Sequence, residues 1–157
     1  MGYVNTQIEN VLMVRWDNVT IDDTVQVAEW IRECHERIGQ PLAYMAIVPA
    51  DAPLPKAETR RGLLAGYDGV VSLCSTMRLV MLGTGFRKAA LRAVSAGLLM
   101  AIKGKRYQVD DGIESAAEAA AENSSLSAEK IVQVARDAGI ILDAELLVAP
   151  SEATPPA

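Results

Sequence analysis

At 157 residues the chain is one domain's worth, long enough to bury a sizeable core without metal or disulfide staples. Half of its residues are hydrophobic, yet one is Phe, two are Trp and four are Tyr, which predicts a core of Val, Ile, Leu, Met and Ala and suits an α/β sandwich. Its formal charge of -5 argues against a nucleic-acid partner, because a surface that tracks phosphates needs an excess of Lys and Arg.

Residues 3–10 and 11–17 read as two strands joined in a hairpin: "YVNTQIE" alternates polar and apolar, while "VLMVRW" is a denser apolar run suited to a buried strand. Thr20 with Asp22 and Asp23 opens a helix that Gly39 and Pro41 stop after Ile38. "LAYMAIV", residues 42–48, is a short β-rich run between breakers and reads as a central strand. The loop "PADAPLP" leads into a helix over about 56–74, interrupted by Gly66 and Gly69. "MRLVML" follows as a strand, then a helix over 86–102, the strand "RYQV" and the Ala/Glu-rich helix "GIESAAEAAAE". Ser127 caps a short amphipathic helix, "AEKIVQVARDAG", ended by Gly139. This divides the chain into an α/β domain over 1–123, an amphipathic extension over 124–150 and a disordered tail over 151–157. The longest apolar tract, "AVSAGLLMAI", falls short of the roughly 20 residues that span a bilayer, and the opening residues lack a basic start followed by an apolar run. A soluble cytoplasmic protein without membrane insertion is expected. Cys34 and Cys74 both fall in stretches read as buried helix, without neighbours at metal-ligand spacing, and are read as reduced thiols.

The order β-β-α-β-α-β-α-β-α implies right-handed crossovers and a mixed, largely parallel sheet with one antiparallel contribution from the opening hairpin. Over residues 4–123 that order, together with "VMLGTGFRKAAL" at the joint of fourth strand and third helix and "QVDDGIESAAEAAA" at the closing helix, resembles the STAS domain family. That is the fold of bacterial anti-sigma-factor antagonists and of the SpoIIAA-like proteins. The phosphorylatable Asp-Ser-Ser-Gly stretch of antagonist members is replaced here by "PADAPLPKAET", so the resemblance does not extend to the kinase-regulated function.

The corner "GTGF" lacks the third small residue of a dinucleotide fingerprint, Lys88 standing in its place, and lacks the Lys-Ser/Thr closure of a P-loop. Gly83 and Gly85 are instead read as serving a sharp turn. Arg87 and Lys88 begin the third helix, and Lys56, Arg60 and Arg61 begin the second, where the helix dipole disfavours cations. Both helix starts belong at the carboxyl edge of a parallel sheet, so these five cations, with Thr84 among them, are expected to form a basic rim on an acidic protein. His35, the only histidine, is placed on the sheet-facing stripe of the first helix with Ile21, Ala28, Ile31 and Ile38, and Trp30 on the opposite, polar face. The third helix carries a bulky stripe of Leu91, Val94, Leu98 and Ile102 and a small-residue stripe of Ala89, Ala93, Gly97 and Ala101, the latter expected to be covered by the C-terminal extension or by a second subunit.

No titratable pair has the spacing of acid-base or nucleophilic catalysis, and no cofactor is implied. The expected function is a non-enzymatic protein-interaction module, an adaptor or regulator in a bacterial signalling or assembly pathway. It would dock an acidic protein surface through Lys56, Arg60, Arg61, Thr84, Arg87, Lys88 and Trp30, with a homodimer as a further partner. The alternative is a carrier or sensor of a small anionic or lipid-like ligand, with the aliphatic third helix as a pocket wall.

Overall fold

The computed structural model describes residues 2–101 and 107–146; the side chains of Phe86, Arg87 and residues 98–101 lie outside that description, as does the tail over 151–157. The elements follow the expected order: β1 (Tyr3–Ile8), β2 (Val11–Trp16), α1 (Ile21–Ile38), β3 (Leu42–Val48), α2 (Ala57–Val70), β4 (Cys74–Met81), α3 (Phe86–Ala101), β5 (Tyr107–Asp110), α4 (Ile113–Glu122), α5 (Ala128–Asp137) and α6 (Asp143–Leu146). They build a mixed five-stranded sheet in the order β1-β2-β3-β4-β5. β1 and β2 are antiparallel, and the remaining pairs are parallel.

Local chemistry accounts for the element boundaries. At the start of α1 the Thr20 hydroxyl accepts from the Asp23 amide at 3.2 Å, and the Asp23 carboxylate accepts from the Thr20 amide at 3.0 Å, which satisfies two donors that the first helical turn leaves free. Gly39, at φ 73°, closes the helix by donating to the His35 carbonyl. Ser127 caps α5 through a bond from the Lys130 amide. One boundary differs from expectation: α2 ends at Val70, a single 3-10 turn follows, and Cys74 opens β4 instead of closing a helix. Pairing with Leu42 of β3 outweighs the helical pattern there. The register shifts at this point, and the Ser75 hydroxyl donates to the Leu42 carbonyl at 3.2 Å across the irregularity.

Because strand side chains alternate, the sheet has two cores. On one face Leu12, Val14, Tyr44, Ala46, Met77 and Leu79 meet α1, α2 and α3. On the other, Val11, Met13, Met45, Ile47 and Val80 meet α4 and α5. The three crossover helices thus share a face, as right-handed connections between successive neighbours require. The first core is less aliphatic than composition suggests, since Trp16, Tyr44, Tyr67 and Tyr107 are all buried within it.

Two packing expectations are corrected. The described part of the extension, residues 124–146, does not cover the described small residues of α3: α5 packs on α4, across the sheet from α3, and Ile131, Ala135, Ile140 and Ile141 belong to the second core. Ala89, Ala93 and Gly97 are exposed, while Ala101, Leu98 and Ile102 fall outside the described side chains. Close helix contact is made instead by α2 with α1. A methyl on Gly62 would meet the Thr24 hydroxyl at 2.8 Å, and one on Gly66, which read as an interruption, would touch Ala28, so these glycines are part of the surface on which α1 lies. In accommodating α2, α1 is rotated from the expected stripe. Val27, Ala28, Ile31 and Cys34 are buried, Ile21 is exposed, and His35 is half-buried at the margin.

A candidate binding site at the carboxyl edge of the sheet

β2, β3, β4 and β5 run parallel, so the segments that follow them, residues 17–20, 49–56, 82–85 and 111–112, gather at one edge. The expected convergence of the α2 and α3 starts is therefore present. The state of the cations is more mixed. Lys56 and Arg61 are exposed. Arg60 is half-buried and donates to the Pro55 carbonyl at 3.1 Å. Lys88, its side chain only 18% exposed, binds Asp111 at 3.1 Å. The side chain of Arg87 lies outside the described residues. Thr84 is exposed between Gly83 and Gly85. Trp30 is half-buried and packs against the first core, so it is not a free aromatic on a polar face.

Two acids at the end of β5, Asp110 and Asp111, hold basic side chains in place. Asp111 accepts from both Arg92 and Lys88, and these bonds, Arg92 first, hold its carboxyl below the usual carboxylate range. Asp110 binds Arg78 at 3.1 Å. Lys88 and Arg92 of α3 are in this way drawn toward the turn after β5.

Beside these pairs lies an apolar crevice of about 60 Å³. Leu63 and Tyr67 of α2 line it, as do Leu91 and Val94 of α3. Strand residues Trp16, Val48, Leu79 and Met81 also line it, and Val19, Pro53 and Pro55 contribute from the edge loops. Two of its polar groups meet each other. The Trp16 indole N–H donates to the Tyr67 hydroxyl at 3.2 Å, which lies 3.1 Å from that of Tyr44. Tyr67 also stacks at an angle on Tyr44 and Tyr107, with ring centroids 5.7 and 5.6 Å away. Burial pushes the pKa values of Tyr44 and Tyr107 well above their ordinary value and raises that of Tyr67. Burial thus favours the neutral phenol at all three positions.

The crevice adjoins an open groove of about 560 Å³, which shares Val19, Pro53 and Pro55 with it. Lys56 lines this groove together with Asp22 and Glu58. The exposed side chains of Ile21 and Leu54 add apolar surface. Among the described residues no group of three or more His, Cys, Asp or Glu is placed to hold a metal ion, and no helix is long and apolar enough to cross a membrane.

Apart from the α3 wall, the lining of the crevice was missed by a reading centred on charge. Its signal lay in Trp16, Val48 and Met81, each the last residue of its strand, because the ends of neighbouring parallel strands share an edge. No family model, curated protein or solved structure matches the chain.

Proposed function

We propose that the chain is a non-enzymatic binding protein, a carrier or sensor of a small lipid-like molecule whose alkyl end enters the crevice between α2 and α3. The observation that carries this reading is the crevice itself: largely apolar side chains from α2, α3 and four strands, Tyr107 of β5 among them, around space that opens at the edge where α/β proteins receive ligands. Leu91 and Val94 from the aliphatic face of α3 line it, which supports the carrier alternative and accords with the resemblance to the SpoIIAA-like branch. Docking of an acidic protein on a five-cation rim has less support, because Lys88 and Arg60 already have partners within the fold.

The size of the crevice limits the ligand. A dry cavity of ~150 Å³ admits benzene, so about 60 Å³ holds a narrow alkyl end, with the rest of the molecule lying through the mouth and into the groove. Lys56 shares the lining of that groove with two carboxylate-bearing residues, Asp22 and Glu58, so a neutral head group suits it better than an anion. Titration of octanol and, separately, octanoate into isotope-labelled protein tests this. Saturable NMR shifts at Leu91, Val94 and Tyr107 are expected, stronger for octanol, and Val94→Trp should abolish them by filling the mouth. The absence of saturation for either compound up to its solubility limit, together with a bare protein mass in native mass spectrometry, would overturn the reading.

A further inference from the structure

We propose that the crevice selects a chain whose inserted end carries an uncharged oxygen, a hydroxyl or a carbonyl, which the side chains of Tyr107 and Ser95 receive. This rests on the crevice being a ligand site and names the class of ligand: an aliphatic chain with a neutral oxygen at its inner end as well as at its head.

The first observation is an imbalance among the tyrosines. The hydroxyls of Tyr44 and Tyr67 bond each other, and that of Tyr67 also accepts from Trp16. Tyr107 packs its ring on Tyr67, yet its hydroxyl makes no hydrogen bond among the described residues, although the residue is only 6% exposed. Among the described residues no fully buried side-chain oxygen or nitrogen lacks a partner. The Tyr107 hydroxyl therefore keeps part of the small surface the residue retains, and the space that Tyr107 lines is the crevice. Ser95 repeats the pattern on α3. It lines the same crevice at 4% exposure, and the contact its hydroxyl makes among the described residues is with the Met81 thioether, a weak acceptor 3.9 Å away. Hydroxyls left so poorly satisfied in an apolar site destabilise a fold, and binding sites are where proteins retain such features.

Register puts Tyr107 deep in the sheet. Met81 ends β4 at the carboxyl edge, whereas Tyr107 pairs with Met77, four positions back along that strand. A chain entering from the edge thus meets Tyr107 with its tip. Charge narrows the chemistry of that tip. Among the described lining residues Asp17 alone is charged, and Arg15 holds it at 3.0 Å. The lining offers no cation to a carboxylate or phosphate, so an inserted anion would be desolvated without compensation, while a neutral oxygen finds hydroxyl donors.

The experiment uses the full chain. Octanol and 1,8-octanediol are titrated into labelled wild type, Tyr107→Phe and Ser95→Ala, with Kd read from the shifts of Leu91 and Val94. The diol offers an oxygen at whichever end enters. Its Kd is expected to rise about three- to tenfold in Tyr107→Phe, the worth of one neutral hydrogen bond, and to rise in Ser95→Ala, while that of octanol, inserted by its alkyl end, stays unchanged. Without ligand, the Tm of Tyr107→Phe should match or exceed that of wild type, because the lost hydroxyl had no protein partner. Octanol weakened as much as the diol upholds the oxygen contact and overturns only the alkyl-first orientation. Octanol bound, with the diol affinity unchanged in Tyr107→Phe, means that water satisfies the hydroxyl; it overturns the proposal and leaves the ligand reading intact. A ligand-free Tm lower by several degrees in Tyr107→Phe overturns it too, since the hydroxyl is then spent within the protein. Neither compound bound by any of the three proteins sinks the ligand reading and the proposal with it.

Discussion

Asp111 takes hydrogen bonds from Arg92 and Lys88 although its own side chain is 60% exposed. The sign of its effect on stability follows from the lowered pKa. The folded state holds the carboxylate more tightly than the unfolded chain does, so the contribution is complete above the unfolded value near 3.8 and is lost as pH falls through the lower folded value. Asp111→Asn should therefore lower Tm at pH 7, by no more than about 3 °C because solvent screens so exposed a pair. The gap should begin to close as pH drops below about 4 and vanish below the lowered folded value, where the wild-type carboxylate is itself protonated. Thermal melts followed by circular dichroism across that range check it; a gap that persists undiminished at the lowest pH would mean that the aspartate acts through something other than its charge. The same residue shows why the basic rim was over-read. Lys88 and Asp111 lie far apart in sequence, and only the pairing of β4 with β5 puts the turn after β5 beside the start of α3.

At the scale of elements, what could be read was local. Caps such as Thr20 with Asp23, stops such as Gly39, and apolar runs such as Leu42–Val48 carry their own signals, and the structure keeps them. What could not be read depended on neighbours: Cys74 became a strand residue through β3, and α1 was turned by the glycines of α2. The aromatic cluster beneath the crevice was hidden for the same reason, because Trp16, Tyr44, Tyr67 and Tyr107 come from four separate elements. The turn between β4 and α3 separates two uses of glycine and allows a test. Gly83 and Gly85 both have positive φ, 91° and 85°. A Cβ at Gly83 would stand 2.6 Å from that of Ala50, whereas one at Gly85 meets nothing within 4 Å. Gly85→Ala should cost the left-handed strain alone, about 1–2 kcal/mol. Gly83→Ala should cost a further ~1–3 kcal/mol for the steric conflict with the loop after β3. Urea denaturation of the two variants measures the difference; equal losses would show that the loop yields freely.

At the scale of the whole molecule, the extension after Asn123 is a structural layer. The second face of the sheet presents Val11, Met13, Met45, Ile47 and Val80, and α4 covers it mainly with Ala116, Ala117 and Ala120, which are too small to fill the space alone. The bulk comes from Ile131, Ile140 and Ile141, each at most 1% exposed. Burying three such side chains contributes about 1.5–3 kcal/mol apiece, a large share of the roughly 5–15 kcal/mol by which a domain is stable. Removing the extension also strips Arg15 of Glu145 and of the Ile140 carbonyl, leaving a strand-borne cation with Asp17 as its remaining partner. A chain ending at Asn123 should therefore lose its cooperative urea transition and bind the dye ANS. A chain ending at Leu146 keeps both the isoleucines and the Glu145 grip, and should retain the transition. If the shorter chain unfolds cooperatively at an unchanged midpoint, α4 alone closes the second face and the layer formed by α5 and α6 is dispensable to the fold.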